Sequence, residues 1–144
     1  MILPEQLTLE YLSREYQKDR FSDSALSAPE QKIRVVDPSD GKVWGFLVID
    51  DTRRGPGLGG IRAAPDLSLN EVGRLARSMT LKNSAANIPF GGGKSGIVAN
   101  PIFLRQNPSV KEKFIKLFAE AIFPEKLDML SSSSLQDLFP QEIL

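Results

Sequence analysis

Four of the six residues from Gly91 to Gly96 are glycine, and a second cluster, Gly55-Pro56-Gly57-Leu58-Gly59-Gly60, lies upstream. These runs constrain the chain more than any other feature. Glycine punctuates regular structure. Lacking a Cβ, it also lets another backbone or a ligand approach closely. Tight turns and close packing of elements are the plain expectation. Charge adds a second one. Lys94 sits inside the downstream run and is the only charged residue between positions 83 and 104. Lys82 precedes it in Met79-Thr80-Leu81-Lys82-Asn83.

The chain has no cysteine and no histidine. Disulfides, thiolate or imidazole metal sites, a cysteine nucleophile and a Ser-His-Asp triad are thereby excluded. Proton transfer would fall to Lys, Asp, Glu or Tyr. The 144 residues are enough for one domain with a core. A formal net charge of zero gives nucleic-acid binding no compositional support. No apolar run approaches the roughly 20 residues that span a bilayer. The N-terminus lacks the basic-then-apolar layout of a signal peptide. A soluble cytoplasmic domain with no metal and no membrane partner is expected.

Apolar spacing predicts the elements. Leu9, Leu12 and Tyr16 fall on one face of a helix over Leu7 to Lys18. Ser22 to Glu30 reads as a loop. Two strands, Lys32 to Val36 and Val43 to Ile49, flank Asp37-Pro38-Ser39-Asp40-Gly41, a hairpin turn. Val43 to Ile49 is apolar on both faces, with Trp44 and Phe46 on one side and Val43, Leu47 and Ile49 mostly on the other. It should be covered from both sides. Ser68 and Glu71 form a capping box for a helix to about Ser84, with Leu69, Val72, Leu75, Ala76 and Met79 on its apolar face and Lys82 in its last turn. Gly96 to Ala99 is a short strand. Ser109 and Glu112 cap a helix that buries Val110, Phe114, Leu117, Phe118, Ala121 and Ile122 and ends at Pro124. Beyond it, Ser131 to Ser134 and Leu135 to Pro140 form a looser tail. The alternation implies an α/β fold, a layered sheet flanked by helices.

Two phosphate motifs fail. Gly93-Lys94-Ser95 ends like a P-loop, but the required first glycine is Ile88, and a strand rather than a helix follows. Gly57-Leu58-Gly59-Gly60-Ile61-Arg62 ends on arginine where a dinucleotide fingerprint needs glycine or alanine. The lysines retain chemical interest. Lys82 at a helix C-terminus should stay protonated and suits a carboxylate. Lys94, partly desolvated among glycines, should have a lowered pKa and suit proton transfer.

Three linked motifs carry a resemblance: Gly55-Pro56-x-x-Gly59-Gly60-x-Arg62, Met79-Thr80-x-Lys82-Asn83, and Gly91-Gly92-Gly93-Lys94-x-Gly96. Together they resemble the N-terminal, substrate-binding and dimerisation domain of the Glu/Leu/Phe/Val dehydrogenases. The likeness is densest from Gly55 to Pro101. It implies oxidative deamination of an L-amino acid to a 2-oxo acid, with NAD or NADP as hydride acceptor. It implies that Lys82 holds the substrate α-carboxylate and that Lys94 is the catalytic lysine that activates water. Met79, Gly59 and Gly60 would line the pocket. Leu58 stands where the glutamate enzymes carry a lysine for the substrate side chain. An apolar amino acid is therefore expected, since leucine cannot pair a buried carboxylate.

The chain departs from the family in two ways. The Asp-x-Gly-Thr type motif expected beyond the catalytic lysine is replaced by Asp128-Met129-Leu130-Ser131, so its catalytic role is not carried onto Asp128. No GxGxxG occurs, so no Rossmann domain and no cofactor-binding residue are visible. Residues 1–124 are expected to form the family domain and 125–144 a divergent tail, with no cofactor bindable by this chain alone. The expected partners are an amino acid and either a second copy or a partner dehydrogenase subunit. A stand-alone interaction module and a non-catalytic amino-acid-binding domain remain open alternatives.

Overall fold

A computed structural model describes residues 1–14 and 28–129. The expected loop from Ser22 falls largely outside them, as does the serine-rich tail. The elements are strands β1 (Thr8–Arg14), β2 (Gln31–Val36), β3 (Val43–Asp51), β4 (Gly57–Leu58) and β5 (Ile61–Ala64), helix α1 (Leu69–Ala85), strand β6 (Gly91–Val98), and helices α2 (Pro101–Gln106) and α3 (Pro108–Met129). The sheet runs β1-β2-β3-β6-β4, and β5 continues beside β6 beyond β4. The first three pairings are antiparallel, whereas β4 and β5 run parallel to β6. Parallel neighbours need a crossover, and α1 supplies it between β5 and β6.

The hairpin forms as expected. Asp37 Oδ1 accepts from the Ser39 backbone at 2.8 Å, and Gly41 turns with φ 74°. The strand β3 is almost wholly buried. Its two faces feed two cores. On one face Leu47, Ile49 and Trp44 pack with Phe114, Phe118 and Ile122 of α3. On the other Phe46 and Val48 pack with Val72 and Ala76 of α1. The result is a layered α/β fold with helices on both sides of one sheet.

The structure corrects several local expectations. Thr8–Arg14 is a strand rather than the start of a helix over Leu7 to Lys18. Its register against β2 shifts between Tyr11 and Ser13. Leu12 is the extra residue of that bulge, and a bulge breaks strict alternation. The Leu9–Leu12 spacing thus imitates a helix. A second shift, between Val35 and Val36, leaves Trp44 as an extra residue. Trp44 therefore joins Leu47 and Ile49 rather than Phe46, stacking edge-on against Phe114 at 5.4 Å.

The expected strand Gly96 to Ala99 begins earlier, at Gly91, so the glycine run is strand rather than connection. Ser68 caps α1 and accepts from Glu71 N at 3.2 Å. The Glu71 carboxylate, expected to reach back, pairs instead with Arg62 Nε at 2.7 Å. The last helix starts at Pro108, with Lys111 N bonding Asn107 O, so Ser109 is not its cap. Proline is well placed at a first helical position. Pro124 does not end α3, which continues to Met129. The short α2 follows β6, capped by Asn100 with proline at its first position.

Candidate functional site

The glycines of β6 owe their identity to packing. A Cβ on Gly92 would collide with the backbone and hydroxyl of Thr80, and one on Gly96 with Leu67. Both directions point at the α1 side of the sheet. Residues two apart in a strand share a face, so Lys94 also projects towards α1. Across the strand, a Cβ on Gly59 would collide with Gly93 O. The glycine clusters let β6 sit tightly between α1 and the β4–β5 edge. Close packing thus accounts for most of them.

Lys94 emerges from this frame half-buried. Burial pushes the pKa of its ammonium down from the ordinary 10.5, and the nearby charges of Lys82 and Arg62 push it further in the same direction. The direction is the one expected of a partly desolvated lysine. Lys82 lies in the last turn of α1 and is exposed. The positive charges of Lys82, Lys94 and Arg62 meet without a carboxylate on either lysine among the described contacts. An anion fits such a place, and the helix C-terminus keeps a cation there favourable.

The other expected residues gather around it. A Cβ on Gly60 would stand 3.4 Å from Lys94 Nζ, and one on Gly59 3.3 Å from Met79 Cγ. Leu58 occupies β4 beside Gly92. Lys82, Lys94, Leu58, Gly59, Gly60 and Met79 thus share one region. The side chain of Asp128 lies outside the described residues.

Sequence reasoning missed Thr80 and Asn83. Both are buried on α1, in series with Val72 and Ala76. The Thr80 hydroxyl donates to Asp50 Oδ2 at 2.6 Å, and Arg77 Nη2 stands 3.0 Å from Asp50 Oδ1. Asn83 Nδ2 donates to Gly91 O at 2.6 Å and to Leu58 O at 3.4 Å. The signal was present in the helical spacing of 72, 76, 80 and 83. Their polarity hid it, because the buried stripe was sought among apolar residues.

The described residues do not fit a dinucleotide. The glycines of β6 lie in a strand paired on both sides, not in a strand-to-helix turn. Among the described residues no helix is long and apolar enough to cross a membrane, and no three metal-ligating carboxylates come together.

Comparison with known proteins gives the family of the domain. Residues 29–129 match the profile of the Glu/Leu/Phe/Val dehydrogenase, dimerisation domain. A glutamate dehydrogenase of Thermotoga maritima is 42% identical over 78 residues, which are 54% of this chain and 19% of that protein. An NADP-specific glutamate dehydrogenase of Synechocystis sp. is 36% identical over 114 residues, 78% of this chain and 26% of that one. The hetero-hexameric glutamate dehydrogenase of Thermus thermophilus, in its leucine-bound form, superposes with a TM-score of 0.52 at 30% identity, covering 83% of this chain and 24% of its own. The glutamate dehydrogenase of Peptoniphilus asaccharolyticus gives 0.54 at 25% identity, over 84% and 25%. The chain spans a fifth to a quarter of the length of these relatives.

Proposed function

Because the chain belongs to the Glu/Leu/Phe/Val dehydrogenase family through its dimerisation domain, we propose that it forms the amino-acid half of a dehydrogenase site. The observation that carries this reading is the pairing of an exposed helix-end lysine, Lys82, with a half-buried lysine, Lys94, across a glycine-lined wall. The parent reaction is oxidative deamination of an L-amino acid to a 2-oxo acid in the cytoplasm, with NAD or NADP supplying the hydride acceptor. The described residues do not fit that cofactor, so their work is confined to binding and proton handling. On its own the chain binds substrate without transferring hydride. Residues 1–124 make up the working domain, and 125–144 are an addition to it.

Lys82 anchors the α-carboxylate. Its charge is fixed at the end of α1, and an ammonium-carboxylate contact is a charge-assisted hydrogen bond. Lys94 holds or moves the proton. Its lowered pKa leaves more neutral amine near neutral pH, and a neutral Nζ can take a proton from water. Met79, Gly59 and Gly60 shape the pocket wall. Leu58 sets the substrate class, favouring an apolar side chain over glutamate.

Calorimetry tests this. L-leucine should give saturable heat and L-glutamate less, and Leu58→Lys should reverse that order. Equal heats that the substitution leaves unchanged would refute the role of Leu58. The same reading makes the macromolecular partner a second copy or a dehydrogenase subunit. Light scattering should then show the purified chain to be larger than 15.9 kDa, and a strict monomer at tens of micromolar (about the range where micromolar affinities show) counts against self-association.

A further inference from the structure

The role of Asn83 goes beyond filling the core. It is 4% exposed, yet its side chain is polar and its partners are the main chains of two different strands. A leucine or alanine would pack in such a place without any hydrogen bond. The amide does something those residues cannot: one nitrogen with two N–H groups reaches two carbonyls at once. Those carbonyls belong to Gly91, where β6 begins, and to Leu58, at the end of β4. Between them the same strands are in register at Leu58 and Gly92. Asn83 also stands next to Lys82, and successive helix residues diverge by about 100° around the axis. Tying Asn83 into the sheet therefore fixes the direction in which Lys82 leaves the helix.

We propose that Asn83 is a positioning residue: by joining the last turn of α1 to Gly91 and Leu58 together, it sets the spacing between Lys82, Lys94 and the Leu58–Gly60 wall. The inference rests on the amino-acid-site reading above. Two neighbouring contacts lead the same way. Thr80, one turn earlier, secures the helix to β3 through Asp50. Gly92 admits that helix against β6 by having no side chain. The groups that act on Lys94 are Lys82 from α1 and Arg62 from β5, with Arg62 in turn held by Glu71 of α1. From β3 the residue opposite Lys94 is the uncharged Val48. When Asn83 is lost, the β4 edge separates from the helix end. Water then reaches the Lys94 amine, and Lys82 moves away from it. Both changes favour the charged form of Lys94.

The experiment is an NMR pH titration of the whole chain with its lysines reductively 13C-methylated, the Lys94 signal being assigned with Lys94→Arg. In the unaltered chain Lys94 should titrate below the surface lysines. In Asn83→Leu, which keeps volume and removes both donors, its midpoint should move up towards theirs. Ser78→Ala, on the exposed side of α1, should leave it in place. If Asn83→Leu does not fold, Asn83→Ser is read by the same criterion. A folded Asn83 variant with an unmoved Lys94 midpoint overturns the positioning role and leaves the amino-acid site standing. An unaltered chain whose Lys94 titrates with the surface lysines overturns both.

Discussion

Lys94 is the residue on which the proposed chemistry turns, and its protonation follows from its neighbours. Burial disfavours its charged form, and Lys82 and Arg62 disfavour it further. This has a consequence for stability. With a folded pKa below the unfolded value, the unfolded chain binds more protons in the interval between them. The contribution of Lys94 therefore costs stability at low pH, and the cost fades as pH rises from the folded pKa to the ordinary 10.5. Lys94→Met should raise the melting temperature at neutral pH relative to the unaltered chain. That advantage should shrink as pH climbs towards the ordinary lysine value. An advantage that stays constant with pH would mean that methionine gains only by apolar packing. The partial burial of Lys94 was legible in the sequence, because a charge isolated among small apolar residues is a simple pattern. The buried partners Thr80, Asn83 and Asp50 were not. Their contacts join residues 30 positions apart, or α1 to β4 and β6, and periodicity does not reveal such pairings.

At the scale of elements, two of the misreadings share one physical cause. Leu12 and Trp44 each stand at a register shift, and a single extra residue turns the following side chains to the other face. Periodicity therefore misassigned β1 as helix and put Trp44 on the wrong core. Where no bulge intervenes, as along α1, the helical pattern held. The glycine strand β6 shows the converse. Its glycines have little intrinsic strand preference, yet it lies central in the sheet because at Gly92 and Gly96 no side chain fits against Thr80 and Leu67. Gly92 is the tightest test of this. Gly92→Ala would drive a methyl group into the Thr80 backbone, and overpacking of this kind costs about 1–3 kcal/mol. Denaturant unfolding should show a lowered midpoint with the slope retained. An unchanged midpoint would mean that the helix is not held against the strand as described.

At the scale of the molecule, the fold is one sheet with α1 on the site face and α3 on the other. Lys82 and Lys94 both belong to the α1 side. The family was legible from motif spacing, because the glycines and lysines of the three motifs lie within about 40 residues and keep their order. The proposed substrate class rests on one position, Leu58. The central claim is that an amino acid binds between Lys82 and Lys94. The most direct test is an NMR titration of the 15N-labelled chain with L-leucine to millimolar concentration. Amide shifts should concentrate at Gly59, Gly60, Lys82 and Lys94 and disappear in Lys82→Gln. Shifts that survive Lys82→Gln, or that map to the α3 face of the sheet, would contradict the account.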